Sequence, residues 1–316
     1  VYGGFSACTI NSVIKSGTNE FHGSIFSDYT DDGFRGDTLE GEDITWPDFE
    51  EKRFGMTLGG ALIEDKLFFF AAYEKLEGAD VYEGGVVGSG AANESDFVTQ
   101  AQVDDIISIA QNQYQYDPGV IPSDLAKGDE KYLVKLDWNI NDDHRAALTY
   151  INSEDFDTRD SSFYDVQLAS NLYKTEKELT SVSTSLYSDW NDNFSTQVRF
   201  TSLSVDNDNA PLNGTDFATI LINIDGDRAV TMGPDVFRQA NRVEYSVDTF
   251  AVQGSYYLDN GATISGGFER ETVDVFNLFG RYSQSEIRFD SIDDFRAGTP
   301  SRFEYENAAT GNVNDV

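Results

Sequence analysis

Few residues in this chain are suited to covalent chemistry. It has one cysteine, Cys8, and two histidines, His22 and His144. That leaves no internal disulfide, no Cys-based zinc site and no His-rich metal centre. The chain carries no nucleophile elbow, no phosphate-cradling Gly loop and no His-Glu-x-x-His helix motif, so no enzyme is expected. His22 and His144 fall at a strand start and after a turn, where a polar surface or lumen role is the ordinary one. Cys8 reads as a small buried residue. Carboxylates are the abundant groups: 22 Lys and Arg face 56 Asp and Glu, a net charge of -34. A nucleic-acid partner is excluded on that balance, because phosphate contacts need clustered Lys and Arg. Three acidic runs, Asp31-Asp32-Gly33, Asp206-Asn207-Asp208-Asn209 and Asp225-Gly226-Asp227, resemble pieces of calcium loops. None combines Gly at position six with Glu at position twelve. The expectation is a solvated acidic surface and no cofactor, with Ca²⁺ in the loops as the alternative.

The elements that carry these residues alternate with a period of two. In Phe21–Tyr29, Phe21, Gly23, Ile25, Ser27 and Tyr29 share one face. In Arg53–Ile63, Phe54, Met56, Leu58, Gly60 and Leu62 alternate with Arg53, Gly55, Thr57, Gly59 and Ala61. In Lys131–Ile140, Tyr132, Val134, Leu136, Trp138 and Ile140 share a face. Alternate residues of a strand point to opposite sides, so each segment offers one apolar face and one polar or small face. Further strands are expected at Leu67–Leu76, His144–Ser153, Glu176–Ser188, Phe194–Val205, Val247–Leu258 and Ala262–Val275.

Tight turns alternate with long acidic connections. Glu64-Asp65-Lys66, Asn141-Asp142-Asp143, Asp189–Asn193 and Asp259-Asn260-Gly261 are short, and Asn-Gly is a strong hairpin signal. Residues 30–51, 77–128, 154–175 and 206–241 are long. A transmembrane barrel has this asymmetry, with tight periplasmic turns and long outer loops, and its strands need about nine to eleven residues to cross. No run of about 18 apolar residues offers a membrane helix. The expected fold is therefore all-β: an antiparallel up-and-down transmembrane β-barrel, incomplete at roughly nine or ten strands, with one loop helix. Lipid contacts the apolar face and the lumen the polar one, where Arg53, Lys135, Asp137, Arg145, Arg199 and Glu269 fall; plug-anchoring pairs are the favoured role for these charges. Tyr29, Phe54, Tyr73, Trp138, Tyr150, Tyr187, Phe194, Tyr256 and Tyr257 lie near strand ends and suit interfacial girdles, or simply strands. The helix is expected where Val103, Ile106, Ile107, Ala110 and Tyr114 share a face, after a Thr99/Gln102 capping box. It reads as packing its own apolar stripe rather than recognising a partner.

The stretch Ile10-Asn11-Ser12-Val13-Ile14-Lys15-Ser16-Gly17-Thr18-Asn19-Glu20-Phe21-His22-Gly23-Ser24 closely resembles the plug-to-barrel junction of TonB-dependent outer-membrane receptors. The likeness is greatest to the Oar-like branch. Leu58-Gly59-Gly60-Ala61-Leu62-Ile63-Glu64-Asp65-Lys66-Leu67-Phe68-Phe69-Phe70 resembles that family's second and third strands with their turn. Asp274–Phe279 with Ser291-Ile292-Asp293-Asp294-Phe295 is similar to the same branch. Ile14 replaces a usual Thr, and Ala61 a common Pro. The resemblance implies that residues 1–19 end a plug domain and 20–316 begin a barrel. Such a barrel has 22 strands when complete. The start at Val1 and the unpatterned 312–316 are read as cuts in a longer chain.

Within that resemblance Lys15, Ser16, Gly17, Thr18, Asn19, Phe21, His22 and Gly23 form the junction, with a structural role. Ser16–Asn19 reads as a turn in which Gly17 is free to take positive φ. The implied function is active import of a solute across the outer membrane of a Gram-negative bacterium. The implied partners are an inner-membrane TonB complex, acting through the plug, and outer-membrane lipid. The solute stays open among siderophore, glycan, peptide and cobalamin. The alternatives are a surface binding or adhesion protein without uptake and, more weakly, a soluble lectin-like sandwich. Were the apolar rows packed between two stacked sheets, the importer assignment would fail.

Overall fold

The computed structural model describes residues 13–36, 38–39, 41–43, 48–91, 93–161 and 165–311. The reading of Cys8, and the part of the junction motif before Val13, lie outside this set. Nine long strands form one antiparallel meander: β1 His22–Asp31, β2 Glu50–Ile63, β3 Leu67–Val81, β4 Asp124–Asn139, β5 His144–Arg159, β6 Tyr173–Asn191, β7 Phe194–Pro211, β8 Asn241–Tyr257 and β9 Thr263–Phe279. Every neighbour in the sheet is a neighbour in the chain. The described sheet is open, with β1 and β9 at its edges. Among the described residues no helix is long and apolar enough to cross a membrane.

The alternation sorts the faces as expected. Phe54 (43% exposed), Leu58 (49%), Trp138 (50%) and Phe268 (62%) all point outward, not into a second sheet. The opposite face carries Lys135 and Asp137, paired at 3.3 Å, Arg53 with Glu74 at 3.7 Å, and Arg199 with Glu269 at 3.5 Å. Of the nine aromatics proposed for the girdles, two face the lumen. Tyr187 pairs with Gln197 and lies under the Arg145 guanidinium, 4.5 Å from its ring centroid. Tyr257 shares a hydrogen bond with Ser195 at 3.3 Å. Period-two parity places them there: each is offset by one residue from its outward neighbour, Leu186 or Tyr256.

Strand tilt can be followed through the cross-strand registry. Phe54 on β2 shares a row with Lys75, Glu130, Glu154, Glu178, Asp206 and Glu244. One row thus begins apolar and becomes acidic on the same outward face. Barrel strands tilt by about 35–45°, so a hydrogen-bonded row climbs out of the hydrocarbon as it crosses the sheet. The strands also run further outward than alternation alone suggested; β6 and β7 reach Tyr173 and Pro211. Asp206–Asn209 is therefore strand, not loop. Beyond the bilayer nothing requires an apolar face, so the ladder continues without a hydropathy signal.

The long connections converge at one end and build a second unit. Val166–Gln167, Arg228–Met232, Thr219–Asp225, Glu286–Phe289 and Arg302–Glu304 form a five-stranded mixed sheet in that order. Two helices pack on it, α1 Gln100–Gln113 and α2 Ile292–Ala297. The Thr99/Gln102 capping box forms, with the Gln102 amide donating to Thr99 Oγ1 and the Thr99 amide to Gln102 Oε1. Val103, Ile106, Ile109 and Ala110 of α1 are buried against Val166, Ile220, Ile222, Val230, Met232, Phe289 and Phe295. The helix does not merely pack its own stripe: it supplies part of a hydrophobic core drawn from four connections. Ile109 is buried with them, and Ile107 packs at the margin.

Candidate functional site

Two places could serve function: the segment that enters the barrel wall, and the outer cap. Residues 13–20 have no regular secondary structure and cross the lumen face of β2 and β3 toward β4. Three features hold them. Lys135 Nζ donates to Ser16 Oγ at 2.7 Å and to the Ile14 carbonyl at 3.4 Å. Asn19 and Asp65 exchange two hydrogen bonds, Asn19 Nδ2 to Asp65 Oδ1 at 2.6 Å and the Asp65 amide to Asn19 Oδ1 at 2.9 Å. Asp65 sits at φ 61° in the first tight turn, and its carbonyl accepts Asn139 Nδ2 at 3.1 Å.

Gly17 is the third feature, for a reason other than the one anticipated. It is not among the residues with positive φ. Instead the chain lies flat on the wall: a Cβ at Gly17 would stand 2.3 Å from the Phe69 carbonyl and 2.5 Å from that of Gly60. Only a residue without Cβ allows this approach. Gly59 faces it, its own would-be Cβ 3.5 Å from the Gly17 Cα. Of the remaining junction residues, Thr18 Oγ1 donates to the Glu20 carbonyl at 2.9 Å, and His22 Nε2 lies 3.4 Å from a Glu20 carboxylate oxygen. Phe21 packs outward on Phe69, ring centroids 6.1 Å apart. Gly23 pairs with Leu58 in the β1–β2 ladder. No described contact is assigned to the Lys15 side chain. Lys135 was expected on the lumen face with plug anchoring as its favoured role, though without named partners; Asp65 is the contact that sequence reasoning did not assign.

The cap is held by polar as well as apolar contacts. Gln239 Nε2 donates to Thr219 Oγ1 at 2.9 Å and to the Ser285 carbonyl at 3.0 Å, joining two connections. Asn171 Nδ2 donates to the Gly233 carbonyl at 2.8 Å. Arg228 bridges Asp96 and Asp225, and Arg296 bridges Asp105 and Asp293. A cavity of about 710 Å³ opens between three connections, lined among others by Tyr82, Glu83, Phe97, Asp160 and Arg228. Burial pushes the Tyr82 phenol up to about 12, with Asp160 adding to it. The same burial raises the Asp160 carboxyl. Of the acidic runs, Asp206 is engaged by Arg242 and Asp225 by Arg228. Among the described residues no three His, Cys, Asp or Glu side chains are grouped to hold a metal.

An outward apolar band, a charged lumen and tight turns at one end define an outer-membrane β-barrel. Residues 13–127 match the family described as "Outer membrane beta barrel domain". The chain is 31% identical over 160 residues to the TonB-dependent transporter Oar of Myxococcus xanthus, covering 46% of this chain and 14% of that protein. The outer-membrane transporter YddB of Escherichia coli shares the fold, with a TM-score of 0.54, 10% identity, and coverage of 90% of this chain and 34% of that one. The chain thus spans only a minor part of either relative. The fold and the matched domain are those of a β-barrel of the Gram-negative outer membrane, and over the matched 160 residues the chain is similar to Oar.

Proposed function

We propose that this chain is the plug-to-barrel junction and the first nine strands of a receptor that binds a solute and imports it with energy from an inner-membrane TonB complex. Residues 1–19 end the plug and 20–316 begin the barrel. The cap offers the outer surface that a solute meets first. The observation that carries this reading is the junction: a segment laid along the lumen wall, held by Lys135 and Asp65, leading from the barrel interior into β1. An adhesion protein needs outer loops but no chain entering through the lumen. The test is uptake by cells carrying the complete gene, with and without a functional TonB. The panel is a ferric siderophore, cobalamin, an oligosaccharide and a peptide. TonB-dependent accumulation of one of them is expected. Accumulation that persists without TonB, or binding with no accumulation, overturns the proposal.

A further inference from the structure

The junction contacts have a mechanical consequence, which rests on the importer reading above. Tension on the chain upstream of residue 13 would, unopposed, arrive at His22. β1 is held to β2 through ten residue pairs, from His22 with Gly59 to Asp31 with Glu50. Residues 13–20 reach His22 from the β4 side, across the strands, and load in that direction opens such a ladder pair by pair, so only one pair resists at a time. Each hydrogen bond adds only about 1 kcal/mol net, which makes end-loading the weak direction.

We infer that Lys135 and the Asn19–Asp65 pair form a clamp that stops tension on the plug before it reaches β1, so that the plug can be displaced while the barrel wall stays closed. The geometry diverts load sideways. Ser16 and Ile14 pass it through Lys135 to β4, three positions along the sheet from β1. The Lys135 side chain is only 16% exposed and is fixed from its other side by Asp137 at 3.3 Å. Asn19 passes load to the β2–β3 turn through two hydrogen bonds that must break together. Asn139 ties that turn to β4 through the Asp65 carbonyl. Gly17, pressed on the backbone of Gly60 and Phe69, sits between the two anchors, so the segment has no slack across the wall. These residues anchor the chain; they need not touch solute.

The experiment is single-molecule pulling on the full-length receptor in a bilayer, with the handle in the plug. In the wild type, chain release is expected to stop near Ser16. In Lys135→Met combined with Asn19→Ala it is expected to continue through β1. The added stretch, Ser16 to Asp31, is sixteen residues. At ~3.5 Å per residue this lengthens the released chain by ~55 Å. Ser16→Ala removes one hydroxyl from an irregular segment and cannot unfold the barrel. It is expected to lower the force at which the stop yields, and Lys135→Arg to restore the stop. The same stop length and force in all four proteins overturns the clamp. Failure here is separable from failure of the importer reading, since the stop is measured without TonB or solute. Uptake with no stop refutes only the clamp, and a stop with no uptake refutes only the importer.

Discussion

Replacing Phe295 with alanine tests whether the outer connections fold as one body. Phe295 is 2% exposed, its ring stacked on Tyr114 at 5.0 Å between centroids and edge-on to Phe289 at 5.1 Å. Truncating a buried Phe to Ala costs about 3–5 kcal/mol through lost transfer energy and the cavity left behind. At 1.4 kcal/mol per tenfold, opening of the cap becomes roughly a hundred to several thousand times more frequent. The Tyr114 hydroxyl still donates to the Phe295 backbone carbonyl, 2.6 Å away, so the loss is one of packing. Hydrogen exchange by mass spectrometry reads local opening directly. If the core is shared, exchange accelerates in α1 and in Thr219–Asp225, more than sixty residues away in sequence, while the barrel rows of β4 to β7 keep their protection. Phe303→Ala is the control, because Phe303 is 63% exposed; a surface change of this kind stays within about 0.5 kcal/mol. Acceleration confined to residues 292–299 would show that the connections are independent loops and that the common core contributes no cooperativity.

Three other outcomes follow from the same contacts. Gly17→Ala places a methyl 2.3 Å from the Phe69 carbonyl; the segment must lift, and exchange at the Asp65 amide, which donates to Asn19 Oδ1, should rise while the remaining wall is unchanged. Leu148→Arg puts a charge in the outward band beside Leu136; near the bilayer midplane this costs about 2–4 kcal/mol, read as a lower denaturant midpoint in folding from detergent or lipid. Glu286 of the cap is buried, which raises its carboxyl pKa, with Arg288 opposing. A carboxyl whose folded pKa is raised contributes stability that is present below the unfolded value, about 4.3, and is lost as pH climbs through the folded one. Glu286→Gln should therefore protect the cap from proteolysis relative to wild type at pH 7, with the gap closing toward pH 4; a gap that widens on acidification refutes this.

The nine barrel strands were legible because lipid requires an apolar face and the lumen tolerates a polar one, which writes period two into Phe54–Leu62 and Tyr132–Trp138. Their outer ends were not. Glu176, Asp208 and Arg242 occupy paired positions in the ladder, yet their types carry no periodic signal once both faces meet water. The junction was legible as a motif, from Lys15 to Gly23, and Lys135 as a lumen-facing charge suited to anchoring, but their pairing was not. Lys135 lies more than a hundred residues downstream, and nothing local tells which backbone it holds; Asp65, in a turn, carried no such signal. The role of Gly17 was misread for a related reason: a turn's demand for positive φ is local, whereas a close backbone approach is visible only when both chains are placed.

The same limit explains the cap, and it shows how this molecule divides its apolar residues. A barrel wall spends them outward on lipid, one face per strand, so the nine-stranded sheet has little interior of its own. The connections are hydrophilic on average, yet they contain most of the fully buried aliphatic side chains, Ile106, Leu168, Ile222 and Val230 among them. Each connection contributes too few to close a core alone. Val166 and Leu168 come from one, Ile220 to Met232 from a second, Phe289 and Phe295 from a third, and the α1 stripe from a fourth. Only the barrel, by fixing the ends of β3 to β9 side by side, brings them within reach. In the folded chain the cap core therefore depends on the wall, which holds the ends of these segments side by side.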